Sequence, residues 1–171
     1  GVGALYVRRG TPLDPVQHGA GHEGGLRAGT ENVPYMVGLG RAASLVYKCL
    51  DESRDRLAML RDRFETRLRL AIGEKLTVNG QQAPRLPNTL SANFPGTTGS
   101  ELLGRIPELC ASTGAACHSG ATHVSATLAA IGLPDQTARG TVRLSIGWYT
   151  SQEDIDLAAS RLLFAWDACK S

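Results

Sequence analysis

Apolar residues recur along this chain with two different periods. Between Val33 and Ile72, Met36, Val37, Leu39, Leu45 and Val46 are followed by Leu57, Leu60, Phe64, Leu68 and Ile72 at intervals of three and four, with Arg and Asp between them. That spacing predicts one amphipathic helix with a solvated charged face, stopped by Gly73. No function is read into its arginines. From Gly140 to Gly147 the period drops to two, with Val142, Leu144 and Ile146 on one face and Arg143 and Ser145 on the other, as in a half-buried strand. Thr150-Ser-Gln-Glu153 reads as a capping box, and Ile155, Ala159, Leu162 and Trp166 mark the apolar stripe of a terminal helix.

Weaker signals fill the remainder. Ala4-Leu-Tyr-Val7, closed by Arg8-Arg-Gly10, is a candidate strand, and so is Leu86 to Phe94, broken by Pro95-Gly96. Short helices are predicted over Ser100–Ile106 and His123–Ile131, the latter ending at Gly132 and Pro134. Helices and strands alternate without internal repeats, which predicts an α/β or α+β fold with helices covering a small sheet.

Composition narrows the function classes. The chain has 171 residues, 42% hydrophobic and 20% charged, with 18 basic and 16 acidic residues. That is long enough to bury a real core, and the formal charge of +2 is too small to argue for nucleic acid. No apolar run approaches a membrane span and no signal-peptide anatomy is evident. The four cysteines, Cys49, Cys110, Cys117 and Cys169, are too scattered for a disulfide scaffold and favour a reducing, cytoplasmic compartment.

Thr11 to Gly29, rich in glycine with Pro12 and Pro15, is a long loop or arm. Gly19-Ala-Gly-His-Glu-Gly24 matches G-x-G-x-x-G, but prolines precede it and no helix opens on its last glycine, so the dinucleotide reading is rejected. The loop runs on into Arg27-Ala-Gly-Thr30-Glu-Asn32. A guanidinium, a glycine-freed backbone and a hydroxyl within six positions suit a phosphate or carboxylate. Thr30 or Asn32 equally suits a cap on the helix that follows, and the two roles are compatible.

Chemistry concentrates at Ala111-Ser-Thr-Gly-Ala-Ala-Cys117-His118-Ser119, a thiol beside an imidazole among residues of little bulk. It reads either as a nucleophile on a flexible tether or as a small packed cysteine beside a surface histidine. Arg143, opposite the apolar face of its strand, suits a carboxylate held by two parallel hydrogen bonds, or an ordinary ion pair. Cys110, Cys117, His118 and His123 are the candidate metal ligands. The cysteines are seven positions apart, outside the usual C-x2-4-C spacing, so zinc is disfavoured.

Gly19-Ala-Gly-His-Glu-Gly-Gly-Leu-Arg-Ala-Gly-Thr-Glu-Asn32, Leu86-Pro-Asn-Thr89, Gly114-Ala-Ala-Cys-His-Ser119 and Val142-Arg-Leu-Ser-Ile-Gly147 occur in that order. Together they resemble the cysteine desulfurase and selenocysteine lyase family of class-V aminotransferase-like, fold-type I pyridoxal-phosphate enzymes. The resemblance implies an aspartate-aminotransferase-like fold and a homodimer. It implies that residues 1–45 are the tail of the large cofactor-binding domain and residues 46–171 the small C-terminal domain. It makes Cys117 the residue that takes sulfur or selenium from the amino-acid substrate, leaving alanine and a persulfide for an acceptor protein, as in iron–sulfur cluster assembly. It makes Arg143 the holder of the substrate carboxylate. Thr30, with Arg27 beside it, would reach the cofactor phosphate of the partner subunit.

Two departures stand out. The family's cofactor lysine lies in a Ser-x-His-Lys segment just before the Gly-x-Gly-Ala-Leu-Tyr run, and none of Lys48, Lys75 and Lys170 sits in such a motif. The opening residues read as mid-domain sequence, so the chain is expected to be the C-terminal part of the enzyme and inactive alone. Trp148 stands where the family often has a basic residue. The competing reading from another class is a non-catalytic folded module that carries sulfur or binds a partner without cofactor.

Overall fold

A computed structural model describes residues 1–113 and 125–170 of the chain. They fall into two compact units, Gly1–Leu50 and Asp51–Ser171.

The first unit is irregular up to a single 3-10 turn at His22–Gly25 and then enters helix α1, Val33–Ile72. The helix start is capped by Asn32, whose Oδ1 accepts the Tyr35 backbone N–H at 3.3 Å. The strand expected over Ala4–Val7 is absent. A strand needs a ladder partner, and among the described residues none pairs with this run; Leu5 and Tyr6 stay exposed.

The second unit holds the core. The C-terminal half of α1 buries Leu60, Phe64, Leu68 and Ile72, one residue per turn. Gly73, at φ +77°, then takes the left-handed conformation that ends the helix. Strands β1 (Thr77–Val78), β2 (Thr89–Asn93), β3 (Ser112–Thr113) and β4 (Thr141–Ser145) form a four-stranded antiparallel sheet in the order β1-β2-β4-β3. Short helices α2 (Gly99–Gly104), α3 (Ala126–Ala130) and α4 (Asp135–Arg139) punctuate it, and α5 (Gln152–Ala168) closes the chain.

Leu90 and Ala92 of β2 stand opposite Leu144 and Val142 of β4. These four join the α1 stripe and Ile155, Ala159, Leu162 and Trp166 of α5 in one apolar cluster. Each fully buried Leu in such a cluster contributes about 1.5–3 kcal/mol. Helix α5 is also tied by Trp166, whose Nε1 donates to the Pro95 carbonyl at 2.9 Å. Its capping box lies one residue later than the sequence suggests: Ser151 Oγ accepts from Asp154 N–H, and the Asp154 carboxylate accepts from Ser151 N–H. Thr150 is used otherwise, its Oγ1 accepting from Gly147 N–H at 3.0 Å.

The charged face of α1 is not merely solvated. Arg63 grips Asp156 of α5 through Nε and Nη2 at 2.8 and 2.7 Å, and Arg67 adds a contact at 3.2 Å. Glu65, nearly buried, accepts from Arg69 and Arg85. Charge patterning alone does not separate arginines that bridge elements from those that face water, because both recur at helical spacing.

Candidate functional site

In the second unit the site begins with the alternation of β4. Val142 and Leu144 point into the core, so Arg143 and Ser145 must emerge on the other face, and both are exposed. Antiparallel register then fixes which residues share that face. Arg143 stands directly opposite Ser91 of β2 on one side and Ser112 of β3 on the other. The rows beside it are Thr89 with Ser145, and Thr77 with Asn93 and Thr141. The face is lined with hydroxyls and amides around one guanidinium, and these strand residues bring no carboxylate to it.

A hydrogen-bonded network orders one flank. Thr141 Oγ1 donates to Asn93 Oδ1 at 2.6 Å, Asn93 Nδ2 donates to Asn79 Oδ1 at 2.8 Å, and Asn79 Nδ2 donates to Ser91 Oγ at 2.9 Å. Asn93 and Thr141 are buried polar residues, so their pairing is obligatory. Beyond β4, Ile146 N–H donates to the Asn88 carbonyl at 2.8 Å. The Arg56 guanidinium then holds the carbonyls of Trp148 and Thr150 at 2.7 and 3.1 Å. Sequence inspection missed Ser91, Ser112, Asn79 and Arg56. The first two carry a signal only once the register with Arg143 is known.

In the first unit the glycine-rich loop closes on itself. Ala28 is buried and its N–H donates to the Gln17 carbonyl at 3.4 Å. Gly29, at φ +110°, takes a backbone conformation that a side chain would strain, and a Cβ there would lie 3.3 Å from Arg27 Nη1 and 3.7 Å from Gln17 Nε2. Thr30 follows with its side chain exposed. His22 Nδ1 is buried with no hydrogen-bond partner among the described residues. Arg27, the Gly29 backbone and the exposed Thr30 are, by their chemistry, groups that suit a phosphate such as that of pyridoxal phosphate. Of the lysines, Lys170 is engaged elsewhere, lying over the Trp166 ring at 3.2 Å and against Asp167.

Cys117, His118 and His123 lie outside the described residues. Cys110 is exposed, and among the described residues no three metal-ligating side chains come together. No helix among the described residues is long and apolar enough to cross a membrane.

Residues 1–157 match the family model Aminotransferase class-V. A protein named cysteine desulfurase from Trichormus azollae is 43% identical over 158 residues, covering 91% of this chain and 39% of that protein. One named cysteine desulfurase IscS, from Methanosarcina thermophila, is 41% identical over 159 residues, again 91% and 39%. Among solved structures, a NifS-like protein aligns with TM-score 0.79 and 31% identity, over 95% of this chain and 41% of that one. A second, from Rickettsia africae, shares the fold with TM-score 0.78 over 90% and 40%. The chain therefore spans about two-fifths of the length of the curated relatives it matches. It belongs to the class-V aminotransferase family, with the small sheet and covering helices of the NifS-like fold.

Proposed function

We propose that this chain is part of a pyridoxal-phosphate-dependent cysteine desulfurase or selenocysteine lyase. In this reading the complete enzyme is a cytoplasmic homodimer that removes sulfur or selenium from an amino acid and hands it to an acceptor protein. The observation that carries it is the placement of Arg143: an exposed guanidinium on a polar sheet face, cross-strand from Ser112, the residue from which the chain runs on to Cys117. Cys117 lies four residues on from Thr113, and a tether of that length reaches at most about 14 Å.

Arg143 takes the substrate carboxylate in a two-pronged hydrogen bond, which orients the amino acid. The bound cofactor supplies an electron sink for the substrate carbon skeleton. Cys117, as thiolate, attacks the substrate sulfur. A sulfur–sulfur bond forms as the carbon–sulfur bond breaks, its electron pair stays with carbon, and carbon takes up a proton to give alanine. Cys117 is left as a persulfide. Arg27 and Thr30 hold the cofactor phosphate, that of the partner subunit. The anchoring lysine is expected outside residues 1–171, which on their own are inactive.

The names of the relatives support the desulfurase reading, and the residue types of the Arg27–Thr30 loop support the cofactor. The test is alanine release from L-cysteine by the complete, cofactor-loaded enzyme. Alanine is expected from the wild type and sharply less from Arg143→Leu; equal release from both would remove Arg143 from the reading.

A further inference from the structure

We propose that Ser91 is a second contact for the substrate carboxylate, donating its hydroxyl proton beside Arg143 and so sharpening selection for an α-carboxylate. The inference deepens the reading above and rests on its assignment of Arg143.

Its basis is the geometry of the polar sheet face. Ser91 and Arg143 are direct partners in the β2–β4 ladder and emerge on the same side. Side chains so paired start from Cβ atoms about 4.5–5.5 Å apart, within reach of one small ligand. A serine hydroxyl has one proton to give and lone pairs to accept with. At Ser91 the acceptor side is taken by Asn79 Nδ2 at 2.9 Å. Asn79 is itself held by Asn93, which accepts at 3.1 Å and donates at 2.8 Å, and Asn93 is fixed in turn by Thr77 and Thr141. The network therefore delivers one donor, Asn79 Nδ2, into the Ser91 oxygen and makes no use of the Ser91 O–H. Among the described residues no acceptor takes it.

That O–H suits an anion. The strand residues of this face include one cation, Arg143, and no carboxylate, and no ion pair occupies Arg143 among the described residues. A carboxylate gripped by two guanidinium N–H groups keeps a lone pair on each oxygen. The Ser91 proton completes that set. Hydrogen bonds to charged groups are stronger than neutral ones, and losing this one should weaken binding roughly tenfold.

The test uses the complete, cofactor-loaded enzyme and measures L-alanine affinity by calorimetry, with melting temperature recorded for every variant. Ser91→Ala is expected to bind alanine roughly tenfold more weakly with an unchanged melting temperature. Ser91→Cys, of similar size but a poor donor, should do the same, and Ser91→Thr should restore binding. In an Arg143→Lys background, where the two-pronged grip is already lost, Ser91→Ala should cost less than in the wild type, because both side chains act on one ligand group. Full alanine affinity in Ser91→Ala and Ser91→Cys, with Arg143→Lys impaired, would overturn the inference and leave Arg143 in place. Additive losses that track a fall in melting temperature would overturn it as well, assigning Ser91 to the sheet alone. Unchanged affinity in Arg143→Lys and Ser91→Ala alike would overturn both this inference and the reading beneath it.

Discussion

Ser112 stands directly across the β3–β4 ladder from Arg143, so the strand that leads toward Cys117 is hydrogen-bonded to the strand that carries the guanidinium. The guanidinium proposed to hold the substrate's acid group and the strand that precedes Cys117 are thus parts of a single sheet. The placement follows from period-two alternation and antiparallel register alone.

Arg143→Leu and Arg143→Lys should both raise the KM for L-cysteine in the complete enzyme, by roughly 10- to 100-fold. Lysine keeps the charge but not the fork, so its recovery should be partial. Steady-state kinetics of the two variants check this.

The close approach of Gly140 to β2 predicts a steric effect. A Cβ there would lie 2.2 Å from the Phe94 carbonyl oxygen, while the Gly140 carbonyl already accepts the Phe94 N–H at 2.9 Å. Gly140→Ala should lower stability by about 2 kcal/mol or more, because backbone must move. Gly104, where an added Cβ meets nothing within 4 Å, is the control; alanine there should stay within about 1 kcal/mol of wild type. Urea unfolding of both variants makes the comparison.

Leu162 of α5 is fully buried at 0% exposure in the middle of the core cluster. Leu162→Ala should cost about 2–5 kcal/mol, the range for a cavity left by a buried Leu. Thermal melts report it.

The Asp156 carboxyl is held below its ordinary value of 3.8 by the hydrogen bonds from Arg63, with the charges of Arg63 and Arg67 adding. A folded-state value below the unfolded one stabilises the fold above the unfolded value. That contribution fades as pH falls from there through the folded value. Asp156→Asn should therefore flatten the acid limb of the stability curve below about pH 4 and leave its shape near neutrality unchanged. Denaturant midpoints measured from pH 7 down to pH 2 would show it, and an identical acid limb in the variant would contradict the linkage.

Much of this architecture is legible in the sequence where one residue choice has one physical outcome. The three-four spacing of α1, its stop at Gly73, the alternation of β4 and the apolar stripe of α5 all form as read. What escapes reading depends on partners distant in the chain. Strand β1 is two residues long and exists through its pairing with Ala92 and Asn93. The run Ala4–Val7 has strand composition but no ladder to join, and composition is silent on that difference. Helix α4, five residues beginning after Pro134, is too short to show a period. The capping box slips by one because Thr150 and Ser151 both precede an acidic residue at the right distance, and Gly147 claims the Thr150 hydroxyl. Of the candidate site, Arg143 and the Arg27–Thr30 loop were visible as residue types in context. Ser91 became visible only through register.

The proposed transfer of sulfur to Cys117 is the step from which the rest of the reading descends, and peptide mass spectrometry tests it most directly. The complete, cofactor-loaded enzyme is incubated with L-cysteine, its thiols are blocked and the peptide holding Cys117 is weighed. One added sulfur atom on that peptide, missing in Cys117→Ser, is the predicted result. Alanine formed at the wild-type rate with no sulfur gained at Cys117, or with the sulfur found on Cys49, Cys110 or Cys169 instead, would contradict the account.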